Sequence, residues 1–197
     1  MTDREQDVGR AVDAIDRGEL VVYPTETVYG LAGDALDPDA VDRVFAVKGR
    51  DRSNPVSLGV ASVDDAAAYV ALDDRERAFA DRFLPGPVTL VCARREPVPD
   101  ALTAGSDRVG LRVPDHDLAR ELLARAGPVT ATSANRSGTG SVRHPGKLDD
   151  ALSEAVAVVL DAGETPGTES TVVDVDAGVL HRRGARAGAI ERWLETH

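Results

Sequence analysis

At 197 residues, with 42% hydrophobic content, the chain is long enough for one globular core that buries about 70% of its unfolded surface. No apolar run approaches the ~20 residues needed to cross a bilayer, and residues 1–10 (MTDREQDVGR) are charged where a signal peptide is apolar, which argues against a membrane-spanning or exported protein and predicts a cytoplasmic one. A single cysteine, Cys92, excludes an internal disulfide and a multi-cysteine metal site, and the net charge of −11 argues against broad nucleic-acid binding, which relies on clustered cations.

The acids are spread along the whole length, and Lys48 and Lys147 are the only lysines. Such a surface suits a salt-rich cytoplasm, where screening reduces self-repulsion.

In chain order, Val8, Ala11, Val12 and Ile15 recur at helical spacing up to Gly18, and residues 20–23 (LVVY) then read as a buried strand ended by Pro24. Asp37-Pro38 has the form of an N-cap followed by proline at the first helical position, and Val41, Val44 and Phe45 give that helix an apolar face ending near Lys48-Gly49. Apolar runs follow at 56–60, 88–92, 109–113, 129–132, 156–160 and 171–175, separated by helical patterns around Ala66, Phe79 and Leu122. Cys92 falls in one of these runs and is expected to be a buried strand residue. Neither an internal repeat nor a Ser/Gly linker interrupts the chain, so a single domain over residues 1–197 is expected. Strands and helices do not alternate strictly, which favours an α/β fold with a twisted, mixed sheet.

Six stretches concentrate polar chemistry. YPTETVYG at 23–30 leaves a buried strand with hydroxyls, a carboxylate and a glycine; it is either a Pro/Thr turn or a ligand loop at a strand's carboxyl end. VKGRDRSNP at 47–55 brings three cations to the end of a helix, where they complement its dipole or grip a polyphosphate. PVTATSANRSG at 128–138, with Ser141 beyond it, runs an apolar strand into small hydrogen-bonding groups that let a phosphate or adenine approach the backbone. RVGLRVP at 108–114 sets Arg112 inside a strand, to pair with an acid or to receive a carboxylate. GTESTVVD at 167–174 and the basic turn LHRRG at 180–184 complete the set.

Walker, dinucleotide, HExxH, zinc-spacing and GxSxG signatures are all absent from the sequence, so any nucleotide must be held by scattered side chains. His116, His144, His181 and His197 are dispersed, and none stands out as a general base. Phosphoryl and nucleotidyl transfer depend mainly on positioning and charge stabilisation, so cations and donors can suffice.

Taken in order, PTETVYGL (24–31), KGR (48–50), NP (54–55), PGPVTL (85–90), LRVPDH (111–116), SANRSG (133–138) and ESTVVD (169–174) resemble the YrdC/Sua5 family over nearly the whole chain. The resemblance implies a YrdC-like twisted mixed sheet around a basic cleft. It also implies synthesis of L-threonylcarbamoyl-AMP from L-threonine, bicarbonate and ATP with release of pyrophosphate, the first step toward N6-threonylcarbamoyladenosine at position 37 of tRNA. Carried over position by position, it places ATP on Lys48, Arg50, Asn54, Arg108, Ser133, Asn135, Ser141 and Arg182, with Lys48 and Arg50 catalytic. Threonine would meet Thr27, Arg112, Ala131 and Ser170. Mg²⁺ would ride on the ATP phosphates with no protein-bound metal, a downstream tRNA threonylcarbamoyl transferase would take the product, and direct RNA binding would be weak or absent.

The chain departs from the family pattern in three places: Gly59 stands where many relatives carry histidine beside the threonine site, Arg183 replaces the proline of an Arg-Pro-Gly turn, and Arg108 stands where a small hydroxyl residue is common. The resemblance fits the short, single-domain form. The alternatives are a YrdC-fold paralogue without synthase activity and an RNA-binding module using the same cleft.

Overall fold

The computed structural model describes residues 2–197; Met1, the first residue of the charged amino-terminal stretch, lies outside the described residues. The strands are β1 (Leu20–Tyr23), β2 (Gly30–Ala32), β3 (Ser57–Gly59), β4 (Val70–Ala71), β5 (Val88–Arg94), β6 (Arg108–Arg112), β7 (Val129–Ser133), β8 (Val156–Val159), β9 (Thr171–Asp174) and β10 (Val179–Arg182). They form one sheet in the order β10-β9-β5-β6-β3-β7-β2-β1-β8, with β4 beside β5. Pairings β1–β8, β3–β6 and β5–β9 are parallel and the others antiparallel, so the expected mixed α/β sheet is what the chain builds.

The helices are α1 (Asp3–Asp16), α2 (Pro38–Lys48), α3 (Val63–Ala66), α4 (Asp74–Phe83), α5 (Asp100–Thr103), α6 (Asp117–Ala126), α7 (Asp150–Ala155) and α8 (Ala187–Thr196). One core cluster joins Phe45 of α2, Phe79 of α4, Leu102 of α5 and Ile190 of α8 to Leu58, Leu90, Leu111 and Val173 on one face of the central strands. A second joins Ile15 of α1 and Leu122 of α6 to Val21, Tyr23 and Val129. Cys92 is buried as expected, and that burial pushes its thiol up.

Helix α2 matters most to the site. Asp37 caps it by accepting from the Asp39 amide at 3.0 Å, and Pro38 occupies the first turn where its missing N–H costs nothing. Gly49 ends it in the left-handed conformation (φ 56°), which aims Lys48 and Arg50 in different directions.

Candidate functional site

The sheet register explains where a ligand fits. Along β6, Val109 and Leu111 face the core, while Arg108, Gly110 and Arg112 share the opposite face. Their neighbours on that face are Thr89 and Val91 of β5, Ser57 and Gly59 of β3, and Ala131 and Ser133 of β7, continuing through Gly30 of β2 to Tyr23 of β1. The face is paved with small residues, and above it opens a cleft of about 720 Å³, within the range of small-molecule sites. A Cβ at Gly110 would meet Ser57 Oγ at 2.7 Å and Thr89 Cγ2 at 2.8 Å, and one at Gly30 would meet the Tyr23 ring at 2.7 Å. Glycine is therefore required at both positions for the floor to lie flat. Sequence reasoning passed over Ser57 and quoted Gly30, Thr89 and Gly110 only within longer motifs, without a place in the floor; the period-two alternation of Val or Leu with Gly, Ser or Thr is the signal that marks them.

Most of the expected residues converge on this cleft: Thr27, Arg50, Asn54, Arg108, Arg112, Ala131, Ser133, Ser141, Ser170 and Arg182 all line it. Arg50 is anchored by donating to the Asn54 and Pro55 carbonyls at 2.9 and 3.0 Å. Burial, and then the like charge of Arg182, lower its pKa, as expected where cations gather without a counter-anion. Arg182 donates to Ser170 O at 2.9 Å and Ser170 Oγ at 2.6 Å, while Arg183 turns away to pair with Glu191 of α8. The Arg-Arg substitution thus leaves Arg182 on the cleft.

Lys48 departs from expectation. It is only 2% exposed, and its ammonium donates to the Ser133 carbonyl and, at 2.6 Å, to the Asn135 carbonyl, leaving one N–H over. Burial first and Arg50 second push its pKa down to about 8. In this structure it braces the end of β7 from beneath instead of facing the cleft. Asn135 is likewise inside the loop, donating to the Arg136 and Thr139 carbonyls at 2.9 and 2.7 Å while its side-chain oxygen accepts from the Ser133 hydroxyl.

Arg108 departs further. Its guanidinium pairs with Asp174 at 3.0 Å, Glu76 at 3.5 Å and Asp176 at 3.6 Å, and donates to the Val91 carbonyl at 2.9 Å. Its charge is consumed by three acids, so a contact with nucleotide phosphate does not match its geometry. Arg112 is held differently: Nη1 donates to the carbonyls of Gly86 and, at 3.1 Å, Val88, while Nη2 donates to Glu26 at 2.6 Å. Three of five donors are used, leaving Nε–H and one Nη2–H.

In the loop after β1, Thr25 Oγ1 donates to the Val28 carbonyl at 2.6 Å and lies 2.8 Å from Thr27 Oγ1, which fixes Thr27 at the cleft. Tyr29, also lining the cleft, ties this loop to residues 162–163 by donating to Gly163 O at 2.7 Å and accepting from the Ala162 amide at 3.0 Å. Gly59 lies beside Ala131, whose Cβ would stand 3.3 Å from a Cβ added there, so a side chain at this position would crowd the Arg112 end of the cleft.

The Sua5/YciO/YrdC family model, described as telomere recombination, matches residues 13–184. The threonylcarbamoyl-AMP synthase of Pyrococcus abyssi (strain GE5 / Orsay) is 39% identical over 84% of this chain and 49% of its own length. That of Bacillus subtilis (strain 168) is 34% identical over 93% of this chain and 55% of its own. The chain thus spans about half the length of these two relatives, whereas it covers 92% of the threonylcarbamoyl-AMP synthase of Photobacterium profundum, at 31% identity over 85% of this chain. Among solved structures, P. abyssi Sua5 complexed with L-threonine superposes with a TM-score of 0.84 at 37% identity, over 93% of this chain and 55% of that one. E. coli YciO shares the fold with a TM-score of 0.85 at 24% identity, over 94% and 92% of the two chains. With a family model matched over most of its length and relatives above 30% identity, the chain belongs to the Sua5/YciO/YrdC family.

Proposed function

We propose that this chain is a threonylcarbamoyl-AMP synthase, joining L-threonine, bicarbonate and ATP and releasing pyrophosphate. The observation that carries the proposal is that one small-residue cleft carries two sets of cations: Arg112 with two free donors, level with Thr89 and Gly59, and Arg50 with Arg182, the former anchored on Asn54. The first set suits a small carboxylate and the second a polyphosphate. The names carried by relatives at 31–39% identity agree with that division.

In this reading Arg112 fixes the threonine carboxylate, with Thr27 and Ser170 placing the rest of the molecule. The threonine amine captures carbon dioxide or bicarbonate as a carbamate, which attacks the α-phosphate of ATP in line. Arg50 and Arg182 offset charge on the departing pyrophosphate, and Ser133, Ser141 and Asn54 hold the nucleotide. Lys48 contributes by bracing Ser133 and Asn135 and by its charge beneath the phosphates. Mg²⁺ enters on the ATP. The whole chain acts as one YrdC-like domain in the cytoplasm, consistent with the absence, among the described residues, of any helix long and apolar enough to cross a membrane. A tRNA-modifying transferase consumes the product. The net charge of −11 favours an enzyme over an RNA-binding module.

The test is incubation of the purified chain with ATP, Mg²⁺, bicarbonate and single amino acids, following pyrophosphate and the adenylate by mass spectrometry. Threonine-dependent release of both is expected. Pyrophosphate release indifferent to the amino acid, or none at all, overturns the proposal.

A further inference from the structure

The PTET loop contains a charged residue that the reading above does not use. Thr25 and Thr27 line the cleft, as Arg112 does; Glu26, between the two threonines, is outside that lining and touches it through Arg112, its Oε1 accepting from Arg112 Nη2 at 2.6 Å. Its other oxygen, Oε2, is buried with no hydrogen-bond partner. The pair is nearly dry, the side chains being 15% exposed for Glu26 and 8% for Arg112. An orphaned carboxylate oxygen in such surroundings is costly, and a fold keeps one only where something offsets it. Arg112 itself needs no carboxylate for mechanical support, because the Gly86 and Val88 carbonyls already hold Nη1.

Charge supplies the reason. A lone buried arginine would welcome any small anion, whereas the Arg112–Glu26 pair is neutral and dipolar. A ligand that is itself neutral and dipolar, with carboxylate and ammonium on adjacent atoms, can align one charge with each member of the pair. A ligand carrying only a carboxylate adds an unbalanced negative charge beside Glu26. We propose that Glu26 is a specificity-determining residue: behind Arg112 it supplies the negative charge that matches an ammonium, so this end of the cleft selects zwitterionic α-amino acids over simple carboxylates. This rests on the reading that the small substrate is an amino acid.

The test is calorimetric titration of the full chain, as wild type, Glu26→Gln and Glu26→Asp, with L-threonine and with its analogue bearing hydroxyl in place of the amine, alongside threonine-dependent pyrophosphate release. Circular dichroism verifies that each variant is folded. Wild type is expected to prefer threonine by at least about tenfold, the scale of one charged contact. In Glu26→Gln that preference should collapse to within about twofold, with threonine binding weaker and hydroxy-acid binding stronger, and Glu26→Asp should restore part of it. A preference ratio that survives Glu26→Gln overturns the proposal, including the case where both affinities fall together, because that is the signature of support for Arg112 alone. Pyrophosphate release that still depends on threonine would then show that only the role of Glu26 had failed. Wild type that neither binds threonine nor releases pyrophosphate with it would overturn the underlying reading as well.

Discussion

Arg108 and Arg112 stand four residues apart on one strand, share one face of the sheet and border the same cleft, yet they do different work. Arg108 is surrounded by Glu76, Asp174 and Asp176. Arg112 meets one carboxylate and two backbone carbonyls and keeps a pair of donors free. What separates an arginine spent in an ion-pair network from one that keeps donors free is how many opposing charges surround the guanidinium, and those charges come from α4, β9, the turn after β9 and the 24–28 loop, far away in sequence. The sharpest way to break the contrast is Arg112→Ala. Removing the planar fork should lower threonine-dependent pyrophosphate release by roughly 10²–10³-fold in kcat/KM for threonine, with the apparent KM for ATP little changed. Steady-state kinetics with each substrate varied separately decides it; equal losses on both would mean that the two ends of the cleft are not distinct.

The matching change at the other arginine should act on folding instead. Arg108→Met leaves Glu76 and Asp174, whose side chains are 6% and 10% exposed, without their counter-charge. Glu76 is already pushed up by burial. Breaking one partner out of a buried pair typically costs about 3 kcal/mol, visible as a lower urea midpoint, while the KM for ATP stays within about twofold. A large rise in that KM with unchanged stability would return Arg108 to the nucleotide.

This contrast also marks how far the sequence could be read. The seven apolar runs became β1, β3, β5, β6, β7, β8 and β9, because each of these strands turns Val or Leu toward a core cluster. Strand β10 follows a different rule: Val179 and Arg182 are exposed, its pairing with β9 shifts register between Leu180 and Arg182, and LHRRG therefore reads as a basic turn. Three-residue β2 is hidden behind the glycine that makes room for Tyr23. At the site, the residues that reach the cleft were legible as polar clusters beside apolar strands. The burial of Lys48 was not, because it depends on the Ser133 and Asn135 carbonyls 85 and 87 residues away. Nor was the capture of Arg108 by acids from two other elements.

Lys48 extends the comparison to a third cation, one placed beneath the cleft. Its folded pKa of about 8 lies below its ordinary 10.5, so between these values the unfolded chain holds the proton that the folded protein has lost. Stability should therefore be penalised below pH 8 and rise as the pH climbs toward 10.5, by about 3 kcal/mol relative to Lys48→Met, which lacks the titration. Activity should move the other way, falling above pH 8 as the charge beneath the phosphates disappears. Denaturant unfolding and kcat/KM for ATP, both followed from pH 7 to 10, test the crossing; parallel trends would show that the ammonium does not serve the nucleotide.

Arg182 completes the series at the exposed end. It sits on the cleft rim, clipped to Ser170 by two hydrogen bonds, in water that screens its charge. Arg182→Met should therefore raise the KM for ATP only a few-fold, and the effect should shrink as salt rises from about 0.05 to 1 M, where the screening length falls from more than 10 Å to about 3 Å. The same salt series should leave the Arg112→Ala defect almost unchanged, because Arg112 is 7% exposed and its interactions are shielded from mobile ions. If both defects faded equally with salt, burial would not be what distinguishes the two cations, and the division of the cleft into a dry carboxylate end and a wet phosphate end would have to be abandoned.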